Sequence, residues 1–405
     1  MWLSSIMSLG RRFHVLLGAS GLSNLSDGLA FVTMPLQAAS MTDDPLWIAG
    51  LATMYALTRL LVVLPIGVYV DQLDRRSLMV SANLLRGLAL MLLASSIQFG
   101  AASLLALYTV MAVVATLESL ADGAAVAMLP GVVPKPALDR ANSRIASVQL
   151  ISDEFVGPPL GGLLFTVAAV LPVYVMGGTW AAAGVLALAL PRSADPKARA
   201  ESRQAFGTQV AEGARWLTEH RTIGKLSLIG GLASAGYMLP FSVLVIFAQD
   251  RLDLTSFGYG LMLAGSALGG LLAALLVPRL RLRWNYRTLI TASLALGSLS
   301  LACLAWTSAP MLAAALLGLY IFHAVVWNIC ATSLRQWLVP GELLGRVGAA
   351  TRVASLLGLA IGSVLGGLLA GVDIRLPTAS GSLVFAACAV LAWFGLPGRD
   401  PDSSS

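Results

Sequence analysis

What most limits the folds open to this chain is a series of uninterrupted apolar runs, each about as long as the roughly 20 residues a helix needs to cross ~30 Å of hydrocarbon. Cutting the 405-residue sequence wherever polar or Pro/Gly-rich residues break such runs leaves twelve segments. They are 15–39, 47–70, 78–98, 104–129, 144–166 and 168–190, then 223–249, 256–277, 287–307, 310–334, 347–371 and 377–397. A soluble chain would break its apolar runs about every 8 to 20 residues and carry roughly a quarter charged residues. Here 11% are charged and 57% hydrophobic, which excludes a soluble enzyme as well as disorder, collagen and a disulfide scaffold. The 40 glycines and 18 prolines fit a bundle of membrane helices, where both are tolerated better than in water. The expected class is an all-α membrane protein with twelve transmembrane helices.

The net charge of +6 does not point to nucleic acid, because the basic residues are scattered through short loops and not gathered on one face or in one tail. Cys303, Cys330 and Cys388 fall inside apolar stretches without paired spacing, so they read as packing residues, and neither a metal site nor a cofactor is expected. Arg11 and Arg12 follow the first apolar residues, whereas a signal peptide places its charge ahead of them, so no cleaved targeting segment is expected.

Cytoplasmic loops retain Lys and Arg. Arg11 and Arg12, Arg75 and Arg76, Lys135 and Arg140, Arg192 through Arg221, Arg279 to Arg287, and Arg335 with Arg346 fall on one side of the alternating spans, against only Arg251 and Arg375 on the other. Both termini are therefore expected in the cytoplasm. The longest polar interval, 191–222, divides the chain into a bundle at 1–190 and a bundle at 223–405. Within this linker Phe206, Val210 and Leu217 recur at helical spacing opposite Gln209, Glu212 and Arg215. That pattern fits either a helix lying on the inner membrane surface or a solvated connector.

One segment recurs. Val133, Pro134, Leu138 and Arg140 match Val339, Pro340, Leu344 and Arg346 at a constant offset, and Gly157, Gly161, Gly162, Leu163 and Leu164 match Gly362, Gly366, Gly367, Leu368 and Leu369 at an offset one residue smaller. Six spans duplicated in the same orientation form one of the two symmetries used by transporters, with substrate sites near the midplane where repeats meet. Twelve spans, a central linker and two parallel six-helix repeats resemble the major facilitator superfamily over nearly the whole chain.

Two motifs strengthen the resemblance. Gly67, Asp71, Arg75 and Arg76 stand in a stretch similar to the superfamily's Gly-x-x-x-Asp-x-x-x-Arg-Arg/Lys signature. The resemblance implies that Asp71, Arg75 and Arg76 latch the inner ends of neighbouring helices in one conformation. Asp74 departs from the family's usual Gly and Gln72 from its usual Arg, and the corresponding second-half loop, Arg279 to Arg287, has no acid. In span five, Gly157, Pro158, Pro159, Gly161 and Gly162 resemble the end of a signature associated with exporters, although Asp153 replaces one of its upstream glycines. Glycines four apart let helix backbones approach closely and proline permits a bend. Span eleven repeats the glycines at Gly362, Gly366 and Gly367 without the prolines.

An ionisable side chain at a helix centre costs about 2.5 to 3.5 kcal/mol on insertion scales and generally faces a cavity. Six such residues stand out, all in the first half: Asp27, Arg59, Glu118, Asp122, Asp153 and Glu154. Asp27 and Arg59 fall near mid-span on sequential helices, which predicts an ion pair between them and a structural or switching role for Asp27. Glu118 and Asp122 are four apart on one face, where a proton on either relieves their repulsion, and Glu118 is the preferred proton carrier. Asp153 and Glu154 are adjacent, so at most one of them lines the cavity at a given depth.

The second half has no acid within its spans but carries His323, Trp327 and Asn328 in span ten, with Tyr237, Met238 and Phe241 in span seven. These are candidate substrate contacts in an apolar cavity with a polar handle. No phosphate-binding loop is present, so the driving force is expected to be a gradient. The leading expectation is a monomeric proton-coupled exporter of a moderately hydrophobic small molecule in the bacterial cytoplasmic membrane. Its partners would be substrate, protons and the lipid bilayer. The stretch from Ser26 and Asp27 through Pro45, Leu46, Ala49 and Gly50 to Arg75, and the run Leu338 to Val347, resemble the superfamily's branch of macrolide and siderophore exporters. An uptake symporter would use the same carboxylates but a more polar cavity. A membrane enzyme or lipid scramblase would need an interfacial metal or acid-base cluster.

Overall fold

A computed structural model of the protein describes residues 9–134, 137–192 and 206–398, with the side chains of 63–72, 139 and 206 outside the description. Within these residues the chain is helical, with no strand. The first half contributes α1 (Gly10–Ala39), α2 (Pro45–Gln72), α3 (Arg75–Gln98), α4 (Leu104–Val132), α5 and α6 (Leu171–Ala187). Helix α5 has three pieces in succession: Leu138–Gln149, a π-helical segment Leu150–Val156, and Gly157–Val167. The linker forms α7 (Phe206–Glu219). The second half contributes α8 (Arg221–Phe241, continued by Leu244–Ile246 and a π-helical Phe247–Arg251), α9 (Ser256–Arg281), α10 (Tyr286–Trp306), α11 (Pro310–Leu338), α12 (Leu344–Ala370) and α13 (Leu376–Gly395).

Lipid offers backbone groups no hydrogen-bond partner, so each crossing segment must satisfy them internally, and helix ends need caps. Asp74 caps α3 by accepting from the Ser77 backbone N–H at 2.9 Å, Ser103 caps α4 through the Ala106 N–H at 3.2 Å, and Asn285 caps α10 through the Thr288 N–H at 2.8 Å. Asp74, the departure from the family signature, thus has a local task of its own. Ten of the described helices are long and apolar enough to cross a membrane by length and composition alone. The remaining two of the twelve expected spans are α5, which its π segment divides, and α6, which is 17 residues long.

Helix pairings repeat between the halves. Helix α1 packs on α5 and α6, and α3 packs on α4 and α6; in the second half α8 packs on α12 and α13, and α10 packs on α11 and α13. Glycines set the closest approaches. A Cβ on Gly157 would lie 2.6 Å from the Gly28 Cα, and Gly161 faces the Leu29 carbonyl and Thr33. Gly358, Gly362 and Gly366 face the backbone of α8 at Gly231, Ala235 and Leu239 in the same way.

The chain forms two compact units, 1–41 with 61–203 and 255–261, and 42–60 with 204–254 and 262–405. Each unit thus takes the first turns of one helix from the other half of the sequence. In the first unit Gly162 packs against Ser256 and Phe257 at the start of α9, and Gly260 against the Pro158 carbonyl. In the second unit Gly367 packs against Leu46 and Ala49 at the start of α2, and the Ser363 hydroxyl donates to the Ala49 carbonyl at 2.7 Å. Helix α7 belongs to the second unit and lies along α12, with Gly213 against the Arg346 carbonyl, so it is a packed element and not a solvated connector.

Candidate functional site

In the first unit the charge centre is built around a cation that the sequence reading did not single out. Arg86 of α3 has no exposed side-chain surface, and its guanidinium lies 3.3 Å from a carboxylate oxygen of Asp27, which is 19% exposed. The same guanidinium donates to the Ser23 hydroxyl at 2.8 Å and to the Asn83 side-chain carbonyl at 2.6 Å. It also sits 4.8 Å from the centre of the Trp180 ring. Asn83 is held in turn by donating to the Met79 carbonyl at 3.0 Å. The partner of Asp27 is therefore Arg86 and not Arg59, which corrects the expected pair. Arg59 falls in the second compact unit and donates to the Tyr55 hydroxyl one turn earlier on its own helix. Sequential spans suggested a neighbour on α2, but α1 has its extensive contacts with α5 and α6, and Arg86 reaches Asp27 from α3.

Four acids converge on this centre. Glu118 and Asp122 from α4 and Asp153 from α5 all lie within electrostatic reach of Asp27 on α1. Asp153 stands on the π-helical segment, and the sequence around it explains that segment. Pro158 and Pro159 lack the N–H groups that would bond to the carbonyls of Glu154 and Phe155, so the preceding turn loses its regular ladder and widens. Gly28 completes the placement, because its missing side chain leaves room for the Asp153 backbone itself. Of the adjacent pair, Asp153 is half-buried toward the other acids and Glu154 is exposed. Glu118 is half-buried and Asp122 exposed.

The signature between α2 and α3 is only partly described. The side chains of Gly67 and Asp71 lie outside the described residues. Arg75 donates to the Ala127 carbonyl in the last turns of α4 at 2.7 Å, which places a guanidinium on the negative end of a helix dipole. Arg76 is half-buried at the start of α3. In the second half an ion pair involves the linker: Arg346, at the start of α12 and the repeat counterpart of Arg140, lies 2.9 Å from a Glu212 carboxylate oxygen of α7.

Three of the candidate substrate contacts, Tyr237, Phe241 and His323, join an aromatic cluster in the second unit. Tyr237 and Phe241 stack at 4.3 Å on α8, with Tyr320 of α11 5.6 Å from Phe241. His323 is 1% exposed and packs edge-on to Tyr320 at 4.5 Å and Phe385 at 4.9 Å, with its ring over Gly297. His323 is thus packed among these rings and has no exposed surface to offer a substrate. Tyr237, Phe241 and Trp327 keep partial exposure and Asn328 is exposed. Tyr320, which the sequence reading passed over, is the ring that joins the groups.

The model of a family described as transmembrane secretion effector matches residues 9–405. The chain belongs to that family. This family is a branch of the major facilitator superfamily, and its members are transporters with the twelve-helix fold described above. Among similar curated proteins are enterobactin exporters of Shigella boydii serotype 4 and of Escherichia coli O1:K1, each 24% identical over 381 residues, covering 93% of this chain and 90% of the exporter. Among similar solved structures are the nucleoside transporter NupG, with 14% identity and a TM-score of 0.75, and a bacterial homologue of the iron transporter ferroportin in an inward-facing state, with 17% identity and a TM-score of 0.75. Each covers 95% of this chain and is itself 98% covered, and each supports the fold. This secretion-effector chain is accordingly a multi-pass membrane protein whose site is to be read as that of a transporter.

Proposed function

We propose that this protein is a proton-coupled exporter of a moderately hydrophobic small molecule, a drug, siderophore or secondary metabolite, working by alternating access. The observation that carries the reading is the convergence of Asp27, Glu118, Asp122 and Asp153 from three helices beside the buried cation Arg86. Carboxylates gathered this closely in a low dielectric repel one another, and protons are the simplest ligand that relieves the repulsion. Glu118 is the principal carrier, with Asp153 beside it. The enterobactin exporters among its relatives support the outward direction and a siderophore as one candidate substrate. Tyr237, Phe241, Trp327 and Asn328 form the substrate wall. Arg75 on α4 and Arg346 on Glu212 of α7 bias the cycle at one end of the helices.

In this reading the protein is a monomer in the bacterial cytoplasmic membrane with both termini in the cytoplasm, as the loop cations favour. One proton moving inward through 100 mV supplies about 2.3 kcal/mol, enough for about a fortyfold outward gradient of a neutral solute. Coupling requires the protonated and substrate-bound forms to prefer different conformations.

The test uses inverted vesicles and a substrate first found by screening antibiotics and iron chelators. Substrate addition is expected to dissipate an imposed pH gradient, and Glu118→Gln to abolish gradient-driven export while binding survives. A verified substrate that moves no protons removes the coupling.

A further inference from the structure

Helix α12 carries a cation inside its apolar run 347–371 that belongs to none of the charge groups described above. Arg352 is exposed and forms no ion pair or hydrogen bond among the described residues. Arg346, earlier on the same helix, is by contrast paired with Glu212. No aspartate or glutamate occurs at 220–249, 254–341, 343–372 or 374–399, so the spans of the second half hold no counter-charge for Arg352.

The exposed residues Leu357, Ile361, Val364, Leu365 and Leu368 run along one side of α12, as a lipid-facing stripe does. At about 3.6 residues per turn Arg352 lies on the opposite side, in line with Ser363 about three turns later. At Ser363 that side is closed by α2, because the Ser363 hydroxyl donates to the Ala49 carbonyl at 2.7 Å and meets the Thr53 hydroxyl at 2.7 Å. Around Arg352 it is open. A Cβ on Gly345 or Gly348, on the same side in the two preceding turns, would meet no atom within 4 Å. A charge inside a span that faces away from lipid into open space stands in a water-filled cavity.

Helix α8 shows what shares this level. A Cβ on Gly230 would lie 3.9 Å from the Trp327 ring of α11, and one on Gly231 would lie 3.4 Å from the Ala354 carbonyl of α12. Trp327 and the turn that carries Arg352 therefore flank α8 at one height. Asn328 is exposed beside Trp327, with the Thr332 hydroxyl donating to its side-chain carbonyl at 3.4 Å.

We infer that Arg352 is the substrate-selecting cation and that the exported molecule is an organic anion, its carboxylate held by Arg352 and its apolar body lying against Trp327, an assignment that rests on the second unit forming the substrate wall of the proposed exporter. A guanidinium presents paired N–H donors that match a carboxylate in two parallel hydrogen bonds, and a site built for that match rejects a neutral isostere. The two units then divide the cycle: the carboxylates of the first take protons, and the cation of the second takes the anion.

Equilibrium dialysis of the purified full chain in phosphatidylcholine nanodiscs, with naphthoate and its neutral isostere naphthamide as probes, tests the site. Naphthoate is expected to bind saturably and about tenfold more tightly than the amide, the margin of one charge-assisted hydrogen bond. Arg352→Gln should remove the preference by weakening naphthoate alone, Arg352→Lys should keep part of it, and Trp327→Ala should weaken both probes alike. Equal binding of the two probes by the wild type, or no saturable naphthoate binding up to millimolar concentration, overturns the anionic substrate without recourse to a variant. A preference that survives Arg352→Gln places the cation elsewhere and overturns the site. No gradient is present in the dialysis, so its outcome is separate from proton coupling: uncoupled transport alongside Arg352-dependent naphthoate binding would sink the proton-driven reading alone.

Discussion

Arg86 decides the chemistry available to Asp27. A fully buried guanidinium whose contacts are one carboxylate, one hydroxyl, one amide carbonyl and a Trp180 face has no water to fall back on. Removing one member of such a pair typically costs about 3 to 5 kcal/mol, because the other is left as an uncompensated buried charge. Arg86→Met and Asp27→Asn are each expected to lower the thermal unfolding midpoint in detergent, and the double variant to lose clearly less than the sum. Arg59→Ala with Asp27→Asn should be additive, since the ion pair of Asp27 is with Arg86. Additivity in the Arg86 cycle and coupling in the Arg59 cycle would reverse the assignment. At this scale the sequence pointed to the acids that converge on Asp27 but named its cation partner wrongly. The rule that singled out Asp27, a charge inside an apolar run, applies equally to Arg86 in the 78–98 run. Attention to sequential neighbours hid it, because chain order does not say which helices touch. Burial was equally invisible, and it makes His323 a packing residue and not a substrate contact.

Helix α5 shows how an element can hold a site that its periodicity does not announce. Its apolar pattern reads as one span, and Pro158 with Pro159 promises a bend. What forms is a π-helical segment at Leu150–Val156, ending two residues before Pro158 and carrying both acids. The reason is local and lies in the two missing N–H groups, which a hydropathy pattern does not encode. Pro158→Ala with Pro159→Ala restores both donors to the carbonyls of Glu154 and Phe155, so the segment should revert toward an α-helix and Asp153 should turn away from Asp27 and Glu118. The expected outcome is a protein of equal or higher stability with strongly reduced gradient-driven export, read as new hydrogen-exchange protection at the two introduced amides. Unchanged export with those amides protected would show that the π turn does not position Asp153. The seam beside it tolerates less. Gly157→Ala sets a Cβ 2.6 Å from the Gly28 Cα, an overpacking expected to cost about 1 to 3 kcal/mol in the unfolding midpoint.

For the whole molecule, the repeat in sequence and the repeat in helix pairing agree, because a duplicated pattern of glycines and apolar faces can only bury itself by duplicating its contacts. Less visible in the sequence is that each compact unit takes the first turns of a helix from the other half: the contacts at Gly162 and Gly367 involve single residues far apart in the chain, which no linear pattern reports. The linker was equally ambiguous, since its helical spacing of Phe206, Val210 and Leu217 suits a membrane surface, a solvated connector or a protein groove. Its docking on α12 is carried by two contacts of unlike strength. The Glu212–Arg346 pair is 37% exposed on each side, and exposed pairs of this kind contribute about 0.2 to 1 kcal/mol. Gly213 against the Arg346 carbonyl is a backbone approach that no side chain can enter. Close packing should therefore dominate over charge. Gly213→Leu is expected to lift α7 from α12 and accelerate tryptic cleavage after Arg215 by tenfold or more, whereas Glu212→Gln should accelerate it by about fivefold at most, the factor corresponding to ~1 kcal/mol of lost pairing. If both variants are cleaved at the wild-type rate, α7 is held by neither contact and its place in the second unit must come from the chain on either side of it. If Glu212→Gln proves the more sensitive, the ion pair is a true latch and the second half closes by charge.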